Sequence, residues 1–191
     1  MTSPLDHLVL AGPDLAALVA WFTERTGVVP APGGRHVGLG TANRLVGLGG
    51  SAYLELIGPD PDAPDPDRPR PFGIDALTGN RLVTWAVRRS DLDVPGYDGP
   101  APMSRRTADG DLLSWRLAFP PGPSGVLPFL IDWGSTPHPT TRDLPELPLR
   151  WFRGTHPAPD RVNSVLTSLG AEWEVAEGPE RLTADVGGLV L

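Results

Sequence analysis

The order of patterned segments in the first 58 residues is the feature that most constrains the fold. The segment LDHLVLA at residues 5–11 predicts a strand. The next segment carries apolar side chains at helical spacing, where Pro13 and Asp14 suit a helix start and Gly27 suits its end. These apolar positions are Leu15, Leu18, Val19 and Phe22.

Two more strands, NRLVGLG and SAYLELIG, are predicted around Gly49 and Gly50, a pair that suits a hairpin turn. Residues 1–58 therefore form a first module in the order strand, helix, strands. Glu55 lies between two leucines in the last of these strands. A carboxylate there is unfavourable unless it is paired, bound to a metal or facing a wet cavity, so Glu55 is a candidate functional residue.

Residues 81–134 repeat the order of the first module, after a connector rich in Pro and Asp at residues 59–80. We aligned TWAVRRSDL with HLVLAGPDL, which matches Thr84 with His7. We also align FLIDWG with YLELIG so that Asp132 matches Glu55. The helix of this second module is predicted to be reduced to a short stretch around SDLDVPGY.

Residues 135–191 are predicted to form a third, partial module, in which the strand LRWF precedes a helix and two or three short strands. The helix is indicated by apolar side chains on one face, and Gly170 follows as its stop. We expect the three modules and the connector to form one compact domain.

The composition excludes several classes of chemistry. The chain has 191 residues and no cysteine, which excludes disulfides, thiolate nucleophiles and Cys-based zinc sites. All 16 basic residues are Arg, which excludes Schiff-base chemistry on lysine. The net charge of −7 argues against nucleic acid and anionic membranes as partners. No apolar run is long enough for a membrane span and no signal peptide is evident, so we expect a cytoplasmic protein.

Four segments together resemble one known family. They are DHLVL, GGRHVGLGTAN, YLELIG and PFLIDWG, and they resemble the glyoxalase-like domain family of the vicinal-oxygen-chelate superfamily, which includes glyoxalases, bleomycin-resistance proteins and extradiol dioxygenases. The resemblance covers nearly the whole chain. It implies an α+β fold in which repeated βαβββ modules form a curved mixed sheet around a cup-shaped pocket.

The resemblance also implies a site at the floor of the cup. His7 and Glu55 are expected to be neighbours there and to supply two ligands to one divalent metal, with the rest from Thr84 and Asp132. Thr84 departs from the family pattern because threonine is a poor ligand. This leaves His7, Glu55 and Asp132, a set that suits Mn²⁺, Fe²⁺, Zn²⁺ or Mg²⁺. The alternative is a buried His–Glu hydrogen bond without a metal.

Further residues are candidates for contact with a substrate, and each has a purely structural alternative. His36 and Asn43 lie in or beside a glycine-rich turn, where they bind ligand or stabilise the turn. Thr84 and Trp85 lie on one strand, where a tryptophan lines the cup or packs in the core. Arg150 and Arg153 grip an anionic substrate, pair with Asp132 or lie on the surface.

Three hypotheses for function follow. The first is a metal-dependent lyase or isomerase, in which the metal polarises the substrate and Glu55, or Asp132 if it is not a ligand, transfers a proton. The second is a metal-free protein that binds or sequesters a small molecule, as bleomycin-resistance proteins do. The third is an inactive structural relative. A homodimer is compatible with all three but is not required, because the modules of one chain can close a cup.

Overall fold

The computed structural model describes residues 5–107, 110–122, 125–171 and 173–191, and it shows mostly strands with two short helices. The first module consists of β1 (Leu5–Ala11), α1 (Leu15–Thr26), β2 (Ala31–His36), β3 (Thr41–Gly47) and β4 (Tyr53–Pro59). The second consists of β5 (Arg81–Arg88), β6 (Asp98–Arg106), β7 (Leu112–Phe119) and β8 (Phe129–Asp132). These eight strands close into one barrel in the order β1-β4-β3-β2-β6-β7-β8-β5. The predicted α+β fold with a curved mixed sheet is confirmed.

The first strand and the helix of the first module match their sequence pattern, whereas the glycine-rich stretch before His36, predicted as a turn, forms strand β2. The helix α1 begins after Asp14, whose side chain accepts a hydrogen bond from the Ala17 amide at 2.9 Å. It ends at Gly27, whose φ of 72° is a left-handed conformation that glycine adopts without strain. The helix packs its apolar side against β4. Its buried residues are Leu15, Leu18 and Phe22.

Each module places its first and last strands side by side and parallel. In the first module β1 pairs with β4, so that Val9 lies opposite Glu55. In the second module β5 pairs with β8, so that Ala86 lies opposite Phe129. The two modules join through the antiparallel pairs β1–β5 and β2–β6. Because side chains alternate along each strand, one face of the barrel wall points into the cup and the other packs against outer elements.

The third segment forms a separate sheet against the barrel. It contains β9 (Leu149–His156), α2 (Pro159–Ser168), β10 (Val175–Glu177), β11 (Arg181–Val186) and β12 (Leu189–Val190), and its strand order is β10-β9-β11-β12. Trp85 of β5 joins it to the barrel through edge-on contacts with Phe152 and Trp173. Neither α1 nor α2 is long and apolar enough to span a membrane, and the described residues contain no such helix.

The connector between the modules lies beside the mouth of the barrel. Arg70 ties it to the turn after β2, because the Arg70 Nε donates to the Gly40 carbonyl oxygen at 2.9 Å. The next residues, Pro71–Ala76, form a 3-10 segment that is interrupted at Phe72, whose φ is 60°. A bulky side chain rarely adopts this conformation, which stores about 1–3 kcal/mol of strain. Phe72 stacks on Phe129 of β8, with ring centroids 5.7 Å apart, and so covers part of the cup.

Candidate functional site

The cup is the cavity inside the barrel, and its lining is divided by polarity. Five polar side chains with imidazole, amide, carboxylate or guanidinium groups meet in it: His7, His36, Asn43, Glu55 and Arg105. The remaining wall is aromatic and aliphatic, and includes Tyr53, Phe72, Trp115, Phe119, Phe129, Ile131 and Trp133. The cavity has a volume of about 60 Å³. This is well below the ~300 Å³ at the lower end of common ligand pockets, so the cup suits a compact ligand unless a wall residue such as Phe72 moves.

Glu55 lies at the centre of the polar group. Its side chain is nearly buried, and Oε1 accepts a hydrogen bond from the Asn43 amide nitrogen. Arg105 Nη1 donates to the Asn43 amide oxygen at 3.0 Å. Because arginine can only donate, the Asn43 amide must present its oxygen to Arg105 and its nitrogen to Glu55. One amide thus sets the orientation of the carboxylate and connects it to a buried cation.

His7 faces the other oxygen of Glu55. Its Nδ1 lies 2.7 Å from Asp6 Oδ1, so Nδ1 carries the proton that is donated to that carboxylate. Nε2 is left to point at Glu55 Oε2, 3.7 Å away. The imidazole stacks on Tyr53 with ring centroids 4.6 Å apart, which restricts its rotation. His7 is therefore a positioned imidazole with one nitrogen directed into the cup.

Asp6 is the fully buried carboxylate that holds His7. Its Oδ2 accepts hydrogen bonds from Arg88 Nε at 2.8 Å, Trp133 Nε1 at 3.1 Å and His138 Nε2 at 3.1 Å. Burial alone would raise the pKa of Asp6, but the hydrogen bonds from His138 and His7 outweigh it and hold that pKa well below its usual range. Asp6 thus remains ionised and keeps His7 in one orientation.

His138, on the loop that follows β8, takes part in this network. Its side chain is 10% exposed. The Thr140 amide donates to His138 Nδ1 at 3.3 Å, which leaves Nε2 to donate to Asp6. The side chain also lies edge-on to Tyr53 and Trp133. No local pattern in TPHPTT indicates these contacts, because they depend on how the loop folds back to β1.

His36 is the third imidazole in reach of Glu55. Its Nε2 lies 3.6 Å from Glu55 Oε1, and its Nδ1 lies 3.0 Å from the Thr41 hydroxyl. Burial lowers the pKa of His36; the negative charge of Glu55 acts in the opposite direction but is outweighed. His36 is therefore neutral near pH 7. Of the substrate-contact residues predicted from sequence, His36 and Asn43 are the two that line the cup.

Asp132 does not face the cup, and the alignment that matched it with Glu55 was one residue out of register. Phe129 and Ile131 of β8 point into the cavity, so Asp132 points to the opposite face by the alternation of a strand. There it pairs with Arg116 Nη2 at 2.5 Å, and this hydrogen bond lowers the pKa of Asp132. Ile131, the third residue of FLIDWG, is the structural counterpart of Glu55, the third residue of YLELIG.

Four other predicted contact residues lie away from the cup. Thr84 is buried but lines a neighbouring cavity with Phe119 and Phe129. Trp85 packs on the outer side of the barrel, where its Nε1 donates to the Val126 carbonyl oxygen at 2.8 Å. Arg150 and Arg153 lie on β9 of the separate sheet.

The partners of these two arginines explain their placement. Arg150 is 57% exposed and lies 3.8 Å from Asp185. Arg153 lies over the Trp151 ring, with its guanidinium carbon 5.1 Å from the centroid. Neither arginine pairs with Asp132, whose partner is Arg116. The alternatives of packing for Trp85 and of a surface position for Arg150 and Arg153 thus agree with the structure. Asp132 pairs with Arg116 instead.

The predicted metal ligands are only partly brought together. His7 and Glu55 face each other, but Asp132 is on the far side of β8. Within the described residues, no group of three His, Asp or Glu side chains is arranged to hold a metal ion. One oxygen of Glu55 is also occupied by the Asn43 amide hydrogen. The set His7, Glu55 and Asp132 therefore does not fit a divalent metal.

Arg105 is the one of the five polar cup residues that sequence analysis did not predict. It lies in SRRTADG on β6, where two adjacent arginines look like a solvated pair. Its side chain is 1% exposed, whereas that of its neighbour Arg106 is exposed. The alternation of side chains along β6 could have indicated that Arg105 points inward and Arg106 outward. Using this pattern required knowing that β6 pairs with β2.

Comparison with known proteins supports the fold. Residues 5–170 match the family described as glyoxalase-like domain. A hypothetical protein from Staphylococcus aureus has a similar structure, with a TM-score of 0.63 at 12% identity over 93% of this chain and 87% of that one. No curated protein matches the chain.

Methylmalonyl-CoA epimerases are also among the similar structures. The enzyme from Mycobacterium tuberculosis gives a TM-score of 0.43 at 20% identity over 74% of this chain and 96% of that one. One from Streptomyces coelicolor, in complex with 2-nitronate-propionyl-CoA, gives 0.45 at 19% identity over 73% and 100%.

Proposed function

The chain belongs to the glyoxalase-like domain family, and from this membership and the geometry of the cup we propose that it is a small-molecule enzyme of the isomerase or lyase kind in which Glu55 transfers a proton. The observation that carries the proposal is the setting of the Glu55 carboxylate, which lies between two imidazoles and an amide in a cavity whose wall, apart from Arg105, is mostly aromatic and aliphatic. Isomerases and lyases of this kind begin by removing a proton from a carbon beside a carbonyl group.

Each neighbour of Glu55 has a defined part in this proposal. Asn43 occupies Oε1 and leaves Oε2 as the basic atom. His7, held by Asp6, presents Nε2 to Oε2 and is placed to exchange the proton with it. Neutral His36 is placed to donate or accept a hydrogen bond at a substrate oxygen. The apolar wall limits the access of water to the cup, and this strengthens the electrostatic interactions inside it.

We assign no step to a divalent metal. Of the three ligands predicted from sequence, only His7 and Glu55 share the cavity, and His36 adds a further imidazole nitrogen 3.6 Å from Glu55. Proton transfer through Glu55 needs only side chains that are already in place. The metal-dependent form of the hypothesis is tested separately by elemental analysis, as described in the Discussion.

Deuterium incorporation tests the proposal. Small carbon acids, such as 2-oxo acids, β-keto acids and 2-hydroxy aldehydes, are incubated with the protein in D₂O and followed by NMR. We expect exchange at the carbon beside the carbonyl in at least one compound, and a loss of about 100-fold or more in Glu55→Gln. Glu177→Gln changes an exposed glutamate on β10 and serves as the matched control. Exchange that survives in Glu55→Gln contradicts the assignment.

The second candidate function is metal-free binding of a small molecule, as in sequestration proteins. The aromatic wall of the cup favours this function. The ring centroids of Trp115 and Trp133 are 5.2 Å apart, and those of Phe119 and Phe129 are 6.0 Å apart. Such walls favour planar or apolar ligands. Tight binding of a compound that never exchanges its protons would favour this function over the enzyme.

A further inference from the structure

The buried guanidinium of Arg105 is the feature of the cup that the proton-transfer proposal leaves unexplained. Its side chain is 1% exposed, and it lines the cup. Within the described residues its hydrogen-bond partner is the neutral amide oxygen of Asn43, and its Nε is buried without any partner. No described carboxylate forms an ion pair with it. Arginines are rarely buried in this way without a paired charge.

The sequence provides space for this cation by means of Gly33. A methyl group at Gly33 would lie 2.8 Å from Arg105 Nη1 and 2.0 Å from Asn43 Oδ1, so any side chain there would displace the pair. At Gly34, a methyl group would meet the Arg106 carbonyl oxygen at 2.1 Å and Arg105 Cδ at 3.4 Å. The two glycines of GGRH thus let β2 pass close under the guanidinium. The backbone of β2 is therefore shaped to hold the guanidinium in the wall of the cup.

The electrostatics of Arg105 require a counter-charge. Burial lowers the pKa of Arg105, which means that its charged form is less stable there than in water. Tyr53 and Glu55 act in the opposite direction, but burial outweighs them. An anion placed beside the guanidinium would restore the lost stabilisation through charge-assisted hydrogen bonds, which are about twice as strong as neutral ones.

We infer that Arg105 is the anchor for a carboxylate group of the ligand, so that the cup takes a small carboxylic acid with an apolar substituent. The cation and the base are joined through Asn43, with Arg105 on its oxygen and Glu55 on its nitrogen. A carboxylate held by Arg105 therefore directs the carbon chain of the ligand towards Glu55. The apolar substituent then faces the aromatic wall, including Trp115. This inference rests on the proposed function, of which it names the substrate class.

Matched pairs of acids and amides test the inference directly. Propionate, isobutyrate, pyruvate and phenylacetate are each compared with the corresponding primary amide by ligand-observed NMR and by tryptophan fluorescence at millimolar concentration. The two compounds of a pair have nearly the same shape and differ in charge. We expect at least one acid to bind about tenfold or more tightly than its amide. Equal binding of all pairs, or no binding by any acid, would overturn the inference.

Two arginine variants locate the effect. Arg105→Gln should remove the preference for acid over amide, and Arg105→Lys should retain part of it because a charge remains without the planar fork. Arg106→Gln removes the adjacent, exposed arginine of the same strand and should leave the preference unchanged. A preference that persists in a folded Arg105→Gln variant would also overturn the inference. If Arg105→Gln does not fold, the wild-type comparison of acids with amides still decides.

The glutamate variant separates this inference from the proposed function. Glu55→Gln should still bind the acids, and more tightly, because a nearby negative charge has been removed. Binding that depends on Arg105, without proton exchange on any compound, would refute the enzyme and support the carboxylate anchor. Exchange on neutral compounds that is unchanged in Arg105→Gln would support the enzyme and refute the anchor.

Discussion

The two modules of the barrel have the same strand arrangement but very different inner faces. In the first module, the parallel pair β1–β4 presents His7 and Glu55 to the cup. In the second, the equivalent pair β5–β8 presents Phe129 and Ile131. The polar groups of the site thus come mainly from one module, and Arg105 of β6 is the polar contribution of the other. The second module otherwise supplies the wall against which a ligand packs.

The difference shows that the closed barrel does not by itself make a symmetric site. A strand points alternate residues into the cup whatever their chemistry, so the residue types at the inward positions decide which module carries the polar groups. Asp6 adds to the asymmetry because it orients His7 of the first module. Asp6 is itself held by hydrogen bonds from Arg88, Trp133 and His138. Changes that remove this support or transfer polarity to the second module test the comparison.

The largest effect is expected from Asp6→Asn. The change leaves Arg88 and His138 without their shared buried carboxylate, and breaking a buried pair in this way costs about 3–5 kcal/mol of the free energy of unfolding. Urea denaturation measures this loss. Asp67→Asn, on the exposed connector, is the matched control. A loss no greater than that of the control would show that the network behind His7 is not structural.

The same carboxylate predicts a pH dependence of stability. The pKa of Asp6 is lower in the folded protein than in the unfolded chain, so its contribution is fully present above the unfolded pKa of about 4 and is lost as the pH falls below it. The free energy of unfolding, measured by urea titration from neutral pH downwards, should therefore decline more steeply in the wild type than in Asp6→Asn. Parallel curves would contradict this assignment.

The next largest effect is expected from Ile131→Glu, which gives the second module the carboxylate that the first one has. Ile131 is 2% exposed and its cluster is aromatic and aliphatic, including Phe129 and Trp133. An ionised carboxylate there should reduce the free energy of unfolding by about 3 kcal/mol at neutral pH.

Acidic conditions distinguish a buried charge from poor packing in Ile131→Glu. Burial should raise the folded-state pKa of the new carboxyl above its unfolded value, so the destabilisation should diminish as the pH falls and the group becomes protonated. Ile131→Gln, which cannot ionise, is the control and should show no such recovery. A Glu variant as stable as the wild type at neutral pH would show that the second module tolerates charge.

The first module could be predicted from sequence because its signals are local. The Asp14 cap, the Gly27 stop and the turn at Gly49 and Gly50 depend on neighbouring residues only. The face of β1 and β4 that carries His7 and Glu55 follows from alternation once the fold family is known. The carboxylate in YLELIG was the clearest signal, because a charge in an apolar strand is unfavourable unless it has a partner or faces a wet cavity.

The rest of the site could not be predicted because it depends on register and on distant contacts. A shift of one position placed Asp132 where Ile131 belongs, and in a strand such a shift exchanges the two faces. Arg105 was missed because its burial follows from the pairing of β6 with β2 across the closed barrel. His138 reaches Asp6 from 132 positions away along the chain.

A small effect is expected from Asp132→Ala. The carboxylate pairs with Arg116, whose side chain is 52% exposed, so the change should cost about 1 kcal/mol or less. Proton exchange should be unaffected, since the residue lies outside the cup. Exchange assays and urea denaturation, beside Glu55→Gln, check both points. Loss of exchange in a fully folded Asp132→Ala variant would restore this residue as catalytic and contradict the register of β8.

The smallest effect is expected from a chelator, which should not change proton exchange. With Asp132 outside the cup, His7 and Glu55 are the predicted ligands that remain, and the Asn43 amide competes for one oxygen of Glu55. Elemental analysis of the untagged protein after incubation with Mn²⁺, Fe²⁺, Zn²⁺ and Mg²⁺ should therefore find less than one ion per chain. His7→Ala and Glu55→Ala are the comparison variants. One tightly held ion, lost in both variants, would mean that His36 completes a metal site, and that the chemistry of the first module is that of a metal centre rather than of a carboxylate alone.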